Sequence, residues 1–175
     1  MSKDTISIRL ADGRDAKTIA VMSRDLIEPG LGWRYDAPRI LGRIRHRDTV
    51  TLVASEGGRT AGFAIMEFGE ERAHLVLLAV LPTHRRQGIG RRLLDWMVES
   101  ALVAGVGSIH LELRASNEAA RAFYKAMGFT ETLTVPGYYR GPGGAKESAM
   151  RMLRMLRSTD TPTWNWQPPA FRGNP

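Results

Sequence analysis

Polar and apolar residues alternate from Thr5 to Leu10, the two-residue period of a half-buried strand. Asp12 then stands as a helix N-cap ahead of a stripe formed by Ala16, Ile19, Ala20, Ser23, Leu26 and Ile27, and Pro29, Gly30 and Gly32 end that helix. Asp36 with Pro38 starts a second, short helix through Ile40, Leu41 and Ile44, whose remaining surface carries Arg39, Arg43, Arg45 and Arg47. Two β-rich runs, 49–55 and 60–67, flank Glu56-Gly57-Gly58-Arg59 and predict a hairpin. A third strand is expected from Ala73 to Val80. Its run Leu75-Val76-Leu77-Leu78-Ala79-Val80 is continuously apolar, which predicts burial on both faces in mid-sheet.

Beyond Pro82 the period changes to that of a helix. From Ile89 to about Ala104 the apolar positions are Leu93, Met97, Ala101 and Ala104, and Gly105 supplies a left-handed cap. Ser108 to Arg114 alternates again as a strand, placing Ile109, Leu111 and Leu113 on one face and His110, Glu112 and Arg114 on the other. Ser116 or Asn117 caps a helix through Met127 that Gly128 ends, and strands near 129–136 and 147–156 follow. The expected architecture is α/β: one mixed sheet with helices on both faces, occupying residues 1–157 as a single domain. From Ser158 the chain holds four prolines among Trp164, Trp166 and Phe171 without periodicity, which predicts a flexible or surface-docked tail, 158–175.

Composition narrows the classes. With 43% apolar and 25% charged residues in 175, the chain has the balance of a soluble globular domain. No apolar run reaches the roughly 20 residues of a membrane helix and no signal segment is evident, so a cytoplasmic protein is expected. Absence of cysteine removes disulfides, thiolate metal sites and any acyl-cysteine intermediate. The formal charge of +7 rests on 21 arginines against four lysines. Arginine's planar fork suits phosphates, so a phosphorylated cofactor or a nucleic acid fits that bias, as does a codon preference alone. His46, His84 and His110 lack metal-ligand spacing, and no metal is predicted.

Chemistry concentrates after the third strand. Val80 to Arg92 leaves a strand, makes a loop and enters a helix, presenting unpaired amides and the positive end of the helix dipole. Gly88 and Gly90 let an anion approach the backbone, whereas Arg85, Arg86, Arg91 and Arg92 oppose the dipole unless an anion is bound. Gly88-Ile89-Gly90 is neither a dinucleotide fingerprint, since Leu93 takes the third glycine's place, nor a P-loop.

Arg85-Arg86-Gln87-Gly88-Ile89-Gly90 resembles the pyrophosphate motif of the GNAT acetyltransferase superfamily. Leu111 to Asn117, with Ala122-Phe123-Tyr124 and Gly128-Phe129, is similar to the bacterial ribosomal-protein alanine N-acetyltransferases. The resemblance is strong from about Leu75 to Phe129, weaker to Leu156, and absent from the tail. It implies a GNAT-like, mostly antiparallel mixed sheet and acetyl-CoA as acetyl donor. It implies that the backbone of Leu78, Ala79 and Val80 pairs with the pantetheine arm, and that the loop of Arg85, Arg86, Gln87, Gly88, Ile89, Gly90 and Arg91 holds the pyrophosphate, with Asn117 as a further cofactor contact. It also implies Glu112 as general base and Tyr124 as general acid. Seven residues apart, Asn117 and Tyr124 share a helix face.

Other readings of the same residues stay open. Glu112 by periodicity alone is equally a solvated carboxylate, Tyr124 a half-buried aromatic, and His74 either a structural histidine or the base. Trp33, Tyr138 and Tyr139 match aromatics near the substrate groove of the ribosomal-alanine enzymes, although Gly32 replaces the proline usual before the tryptophan. The acceptor expected is a protein or peptide N-terminal α-amine, with a small-molecule amine as the alternative. Outside enzymology, the alternative is an acetyl-CoA-binding or RNA-binding module using Arg34 to Arg47. Monomer and homodimer both fit.

Overall fold

The computed structural model describes residues 5–157, so the expected 158–175 tail lies outside the described residues. Seven strands form one sheet: β1 (Ser7–Leu10), β2 (Thr49–Glu56), β3 (Arg59–Phe68), β4 (Arg72–Val80), β5 (Ser108–Arg114), β6 (Thr130–Arg140) and β7 (Lys146–Met155). Their order is β1-β2-β3-β4-β5-β7-β6, and every pairing except parallel β4–β5 is antiparallel. The hairpin between β2 and β3 turns on Gly57 and Gly58, both at positive φ, the two-residue geometry that matches strand twist.

Helices cover both faces. α1 (Ala16–Leu26) and α2 (Ala37–Arg45) pack with Val53, Phe63, Ile65, Leu77 and Ala79 on one side. α3 (Ile89–Ala104) and α4 (Glu118–Ala126) cover Leu52, Ala64, Met66, Leu111 and Met152 on the other. On α3 the buried stripe is wider than the spacing predicts, taking in Leu94 and Val98, whereas Ala104 is exposed at the last turn. Gly105 caps that turn in the left-handed conformation. The first strand starts two residues later than expected, at Ser7.

Two irregularities shape the middle of the sheet. Ile65 pairs with Leu77 and Met66 with Leu75, so Val76 is an extra, unpaired residue. The bulge reverses the alternation: Ala73 and Leu75 join the α3 cluster, but Leu77 and Ala79 join the α1–α2 cluster. Mid-sheet β4 is thus buried on both faces, as its apolar run predicts, with the facing reversed at the bulge. Odd positions from 73 to 79 are buried, while Val76, Leu78 and Val80 are half-buried because they line a cavity.

That cavity is the second irregularity. β4 and β5 pair only from Arg72 to His74 with Ser108 to His110; beyond these three pairs their facing edges separate. The gap is the mouth of the site. At the far end of the sheet, β6 is an edge strand whose pairing with β7 is interrupted between Glu131 and Leu133 and again between Val135 and Tyr139.

Candidate active site

A cleft of about 840 Å³ fills the separation between β4 and β5. Leu75 to Val80 form one wall and Leu111 to Arg114 the other, with Gly88 to Arg91 at one end and Asn117, Phe123 and Tyr124 of α4 along the side. Past His74 the β5-facing edge of β4 is unpaired, which leaves strand-like hydrogen-bonding groups for an extended ligand. Arg85 donates its Nε to the Val80 carbonyl at 3.3 Å, so that oxygen is already engaged.

The loop into α3 fits an anion. Arg86 holds φ 64° and Gly88 φ 77°, a pair of left-handed residues that turns successive amides outward. From Arg86 to Arg91 no backbone amide has a backbone acceptor among the described residues; the first helical bond runs from Arg92 to Gly88. At Gly90 an added Cβ would sit 3.5 Å from the Phe123 ring and 3.8 Å from Val80, facing the cleft in ordinary contact. Arg92 is turned away, with both terminal nitrogens on the Ile6 carbonyl at 3.1 Å. Asn117 lines the cleft, but its Oδ1 accepts from the Ala120 amide at 3.1 Å and is thereby the N-cap of α4.

On the opposite wall a charged cluster surrounds Glu112. Its side chain is 7% exposed and takes His74 Nε2 at 2.8 Å and Arg151 Nε at 2.9 Å. Sheet register makes this arrangement: β4–β5 pairing puts His74 beside His110, and β5–β7 pairing puts Arg151 opposite Glu112. Burial pushes the Glu112 carboxyl up, but the hydrogen bonds and charges of His74 and Arg151 outweigh it and hold the group below the usual carboxylate range. Glu112 is therefore a buried, paired anion, and the reading of it as a solvated carboxylate falls. The His74 and His110 rings stack in parallel with centroids 4.5 Å apart. Burial first, and then His74, lowers the His110 pKa.

His74, His110 and Glu112 bring their donor atoms within 4.8 Å of one another, a proximity that sequence spacing conceals. Stacked rings aim their nitrogen lone pairs side by side rather than at one point, so a cation would have to break the stack and the His74–Glu112 bond.

Tyr124 is 7% exposed, not half-buried, and sits edge-on between Phe123 at 5.1 Å and Phe129 at 5.6 Å. Burial raises its pKa, so the phenol keeps its proton at neutral pH. Trp33 does not line the cleft; it is 46% exposed under the Arg24 guanidinium. Of the two tyrosines of β6, Tyr139 lines the cleft and Tyr138 stands beside it, edge-on at 4.9 Å.

A buried carboxylate that the sequence reading missed holds the loop between α1 and α2. Glu28 accepts from Ser23 Oγ at 3.0 Å and from the amides of Arg34 and Tyr35 at 2.7 and 3.4 Å, pinning the loop between α1 and α2. Arg114 reaches the same loop by donating to the Pro29 carbonyl. Gly141, in the turn after β6, lies so close that a Cβ there would be 2.5 Å from the Gly30 carbonyl oxygen. Gly141→Ala is expected to push these two walls apart, cost about 1–3 kcal/mol, and lower kcat/KM for the acceptor while leaving acetyl-CoA affinity in place. Thermal melts, steady-state rates and calorimetry on the one variant check all three.

A cleft between splayed parallel strands, a polyphosphate-type loop at its end and a buried acid on its wall match the Acetyltransferase (GNAT) family, whose model aligns with residues 21–129. The chain belongs to the GNAT acetyltransferase family. It resembles the [ribosomal protein bS18]-alanine N-acetyltransferase of Escherichia coli K12, 36% identical over 99 residues that make up 57% of this chain and 67% of that protein. The crystal structure of the Escherichia coli ribosomal-protein-S18-alanine N-acetyltransferase superposes with a TM-score of 0.74 at 27% identity, over 91% of this chain and 99% of that one. Salmonella typhimurium yncA, solved with acetyl-CoA, has the same fold at 22% identity, with a TM-score of 0.75 over 90% of this chain and 98% of that one. As a GNAT enzyme the protein is an acetyl-CoA-dependent acetyltransferase with a mostly antiparallel mixed sheet. No helix among the described residues is long and apolar enough to cross a membrane.

Proposed function

We propose that the protein transfers an acetyl group to the N-terminal α-amine of a polypeptide, with Glu112 taking the amine's proton and Tyr124 assisting the departing thiolate. One observation carries this reading: the ionised, buried Glu112 carboxylate reaches the cleft wall at the level where β4 and β5 part. The relatives named for alanine N-acetyltransferase activity support an α-amine as the acceptor. Bound acetyl-CoA would supply an activated thioester, its pyrophosphate held by the amides of Arg86 to Arg91 and its arm along Leu78 to Val80.

The chain's own groups divide the proton work. Glu112 accepts a proton at the cleft, and His74 behind it, absent from the cleft lining and partly exposed, passes charge toward solvent. Arg151 keeps the carboxylate ionised and oriented. This assignment suits an α-amine near pKa 8, about 10% neutral at pH 7, better than a lysine-like amine near 10.4, neutral about once in 2,500. Peptide N-termini should therefore exceed free lysine or polyamines by at least about tenfold in kcat/KM at pH 7. A small amine outrunning every peptide would reject the acceptor class.

Tyr124 acts as a hydrogen-bond donor rather than a full proton source. Its raised pKa lies above that of a thiol near 8.5, so complete transfer runs uphill. A hydrogen bond to a developing thiolate is worth about 1.5–3 kcal/mol. Tyr124→Phe, which keeps the ring contacts with Phe123 and Phe129, should lower kcat about 10- to 100-fold with acetyl-CoA affinity nearly unchanged. Single-turnover rates beside calorimetry test it, and an unaltered chemical step removes the tyrosine from the mechanism.

A further inference from the structure

The exposed side of α2 carries charge that neither the cofactor loop nor the Glu112 cluster uses. A second cavity of about 690 Å³ opens there, lined among others by Arg34, Tyr35, Asp36, Arg39, Arg43 and His46. Arg39, Arg43 and His46 stand at helical spacings of four and three, one above another on a single face. Like charges placed as Arg39 and Arg43 are destabilise a helix unless something opposite answers them. Gly42 leaves the floor open, since an added Cβ would meet nothing within 4 Å.

The local carboxylates are already engaged. Asp36 caps the helix through the Arg39 amide at 3.0 Å, and Arg43 is paired with Glu67. Arg39 donates only to the Arg34 carbonyl, at 3.0 Å, and the Arg34 guanidinium lies over the Tyr35 ring at 5.9 Å. Among the described residues, therefore, neither Arg34 nor Arg39 has a carboxylate within ion-pair distance. The cavity adjoins the loop that borders the cleft. Pro29 lines the cleft, and the neighbouring Glu28 carboxylate accepts from the amides of Arg34 and Tyr35, which line the cavity.

From this we infer that the α2 cavity receives acidic side chains of the acceptor polypeptide, a few residues beyond its reactive N-terminus. The inference rests on the polypeptide reading above and deepens it. Nine helical residues span about 14 Å, the length of about four residues of extended chain. Two free guanidiniums match one or two carboxylates, each able to take a bidentate pair. A nucleic acid would need a longer basic track with stacking aromatics, and Arg43 is already paired with Glu67.

The test uses peptides that share their first two residues and carry Asp, Ala or Lys at positions three to six. In low salt the Asp peptide should exceed the Ala peptide about tenfold in kcat/KM, and the gap should narrow markedly at 0.3 M salt. In the Arg34→Glu, Arg39→Glu double variant the order should invert, Lys above Asp, with calorimetric acetyl-CoA affinity retained. The milder Arg39→Gln should shrink the gap about threefold and covers the case of a poorly folded double variant. Equal rates for Asp and Ala peptides in the native protein overturn the inference while leaving the N-terminal reading intact. Failure to acetylate any peptide removes both. Binding of an RNA 20-mer that the double variant loses, with the peptides tied, makes the cavity a nucleic-acid surface instead.

Discussion

Gly90→Glu is expected to weaken acetyl-CoA binding about 100-fold or more without unfolding the protein. The Cβ at this position lies at ordinary van der Waals distance from Phe123 and Val80, so the backbone accepts a side chain. Its carboxylate would then enter the cleft beside the amides of Arg86 to Arg91. Two like charges about 4 Å apart at a partly solvated site repel by about 4 kcal/mol, enough for a loss of that size before steric exclusion is added. Gly90→Ala separates the two causes: it adds the Cβ without the charge and should bind within a fewfold of wild type. Calorimetry of both variants decides, and undiminished affinity in Gly90→Glu would show that the pyrophosphate lies elsewhere. Gly88 is the wrong place for this test, because its φ of 77° strains any other residue.

Glu112→Gln is expected to lose about 10²- to 10⁴-fold in kcat/KM at pH 7 and to recover part of that loss near pH 9. Glutamine keeps the shape, accepting from Arg151 with its oxygen and donating to His74 with its nitrogen, but it takes no proton from an amine. By pH 9 solvent has deprotonated an α-amine near pKa 8, so the missing base matters less. The sign of the carboxyl's own linkage keeps this comparison clean. Its folded pKa is lowered, so its ionisation stabilises the fold above the unfolded value and is lost only as pH falls through the folded one. Nothing about Glu112 titrates between pH 7 and 9. A variant fully active at pH 7 would move the base to His74, whose replacement by alanine should then carry the loss.

Local signals were enough for the elements and for half of the candidate site. The glycines at 57, 58, 88 and 105 adopt left-handed conformations where turn and cap chemistry calls for them, and the period switch at Ile89 falls at the helix start. The loop from Arg85 to Arg91 is legible because a strand, two glycines and a helix start are contiguous in the chain. The Glu112 cluster is not contiguous: 38 residues separate His74 from Glu112 and 39 separate Glu112 from Arg151. Only the strand order β4-β5-β7 joins them, and periodicity is silent about order. The Val76 bulge was equally hidden, since an all-apolar run shows no break where its facing reverses. Glu28 is a third case, an acid beside a proline and glycine that reads as loop but is buried by its backbone partners.

The interrupted pairing of β6 has a consequence for how the protein behaves in a crowded solution. An outermost strand offers a free row of amides and carbonyls to any other chain, the usual start of runaway strand stacking. Between Val135 and Tyr139 the ladder is broken where Pro136, which has no amide hydrogen, precedes Gly137 at φ 63°. The same stretch carries Tyr139 to the cleft, with Tyr138 edge-on beside it. Straightening it to gain one more ladder bond would displace the tyrosines, so the break that blunts this edge and the placing of Tyr139 on the cleft wall depend on the same four residues.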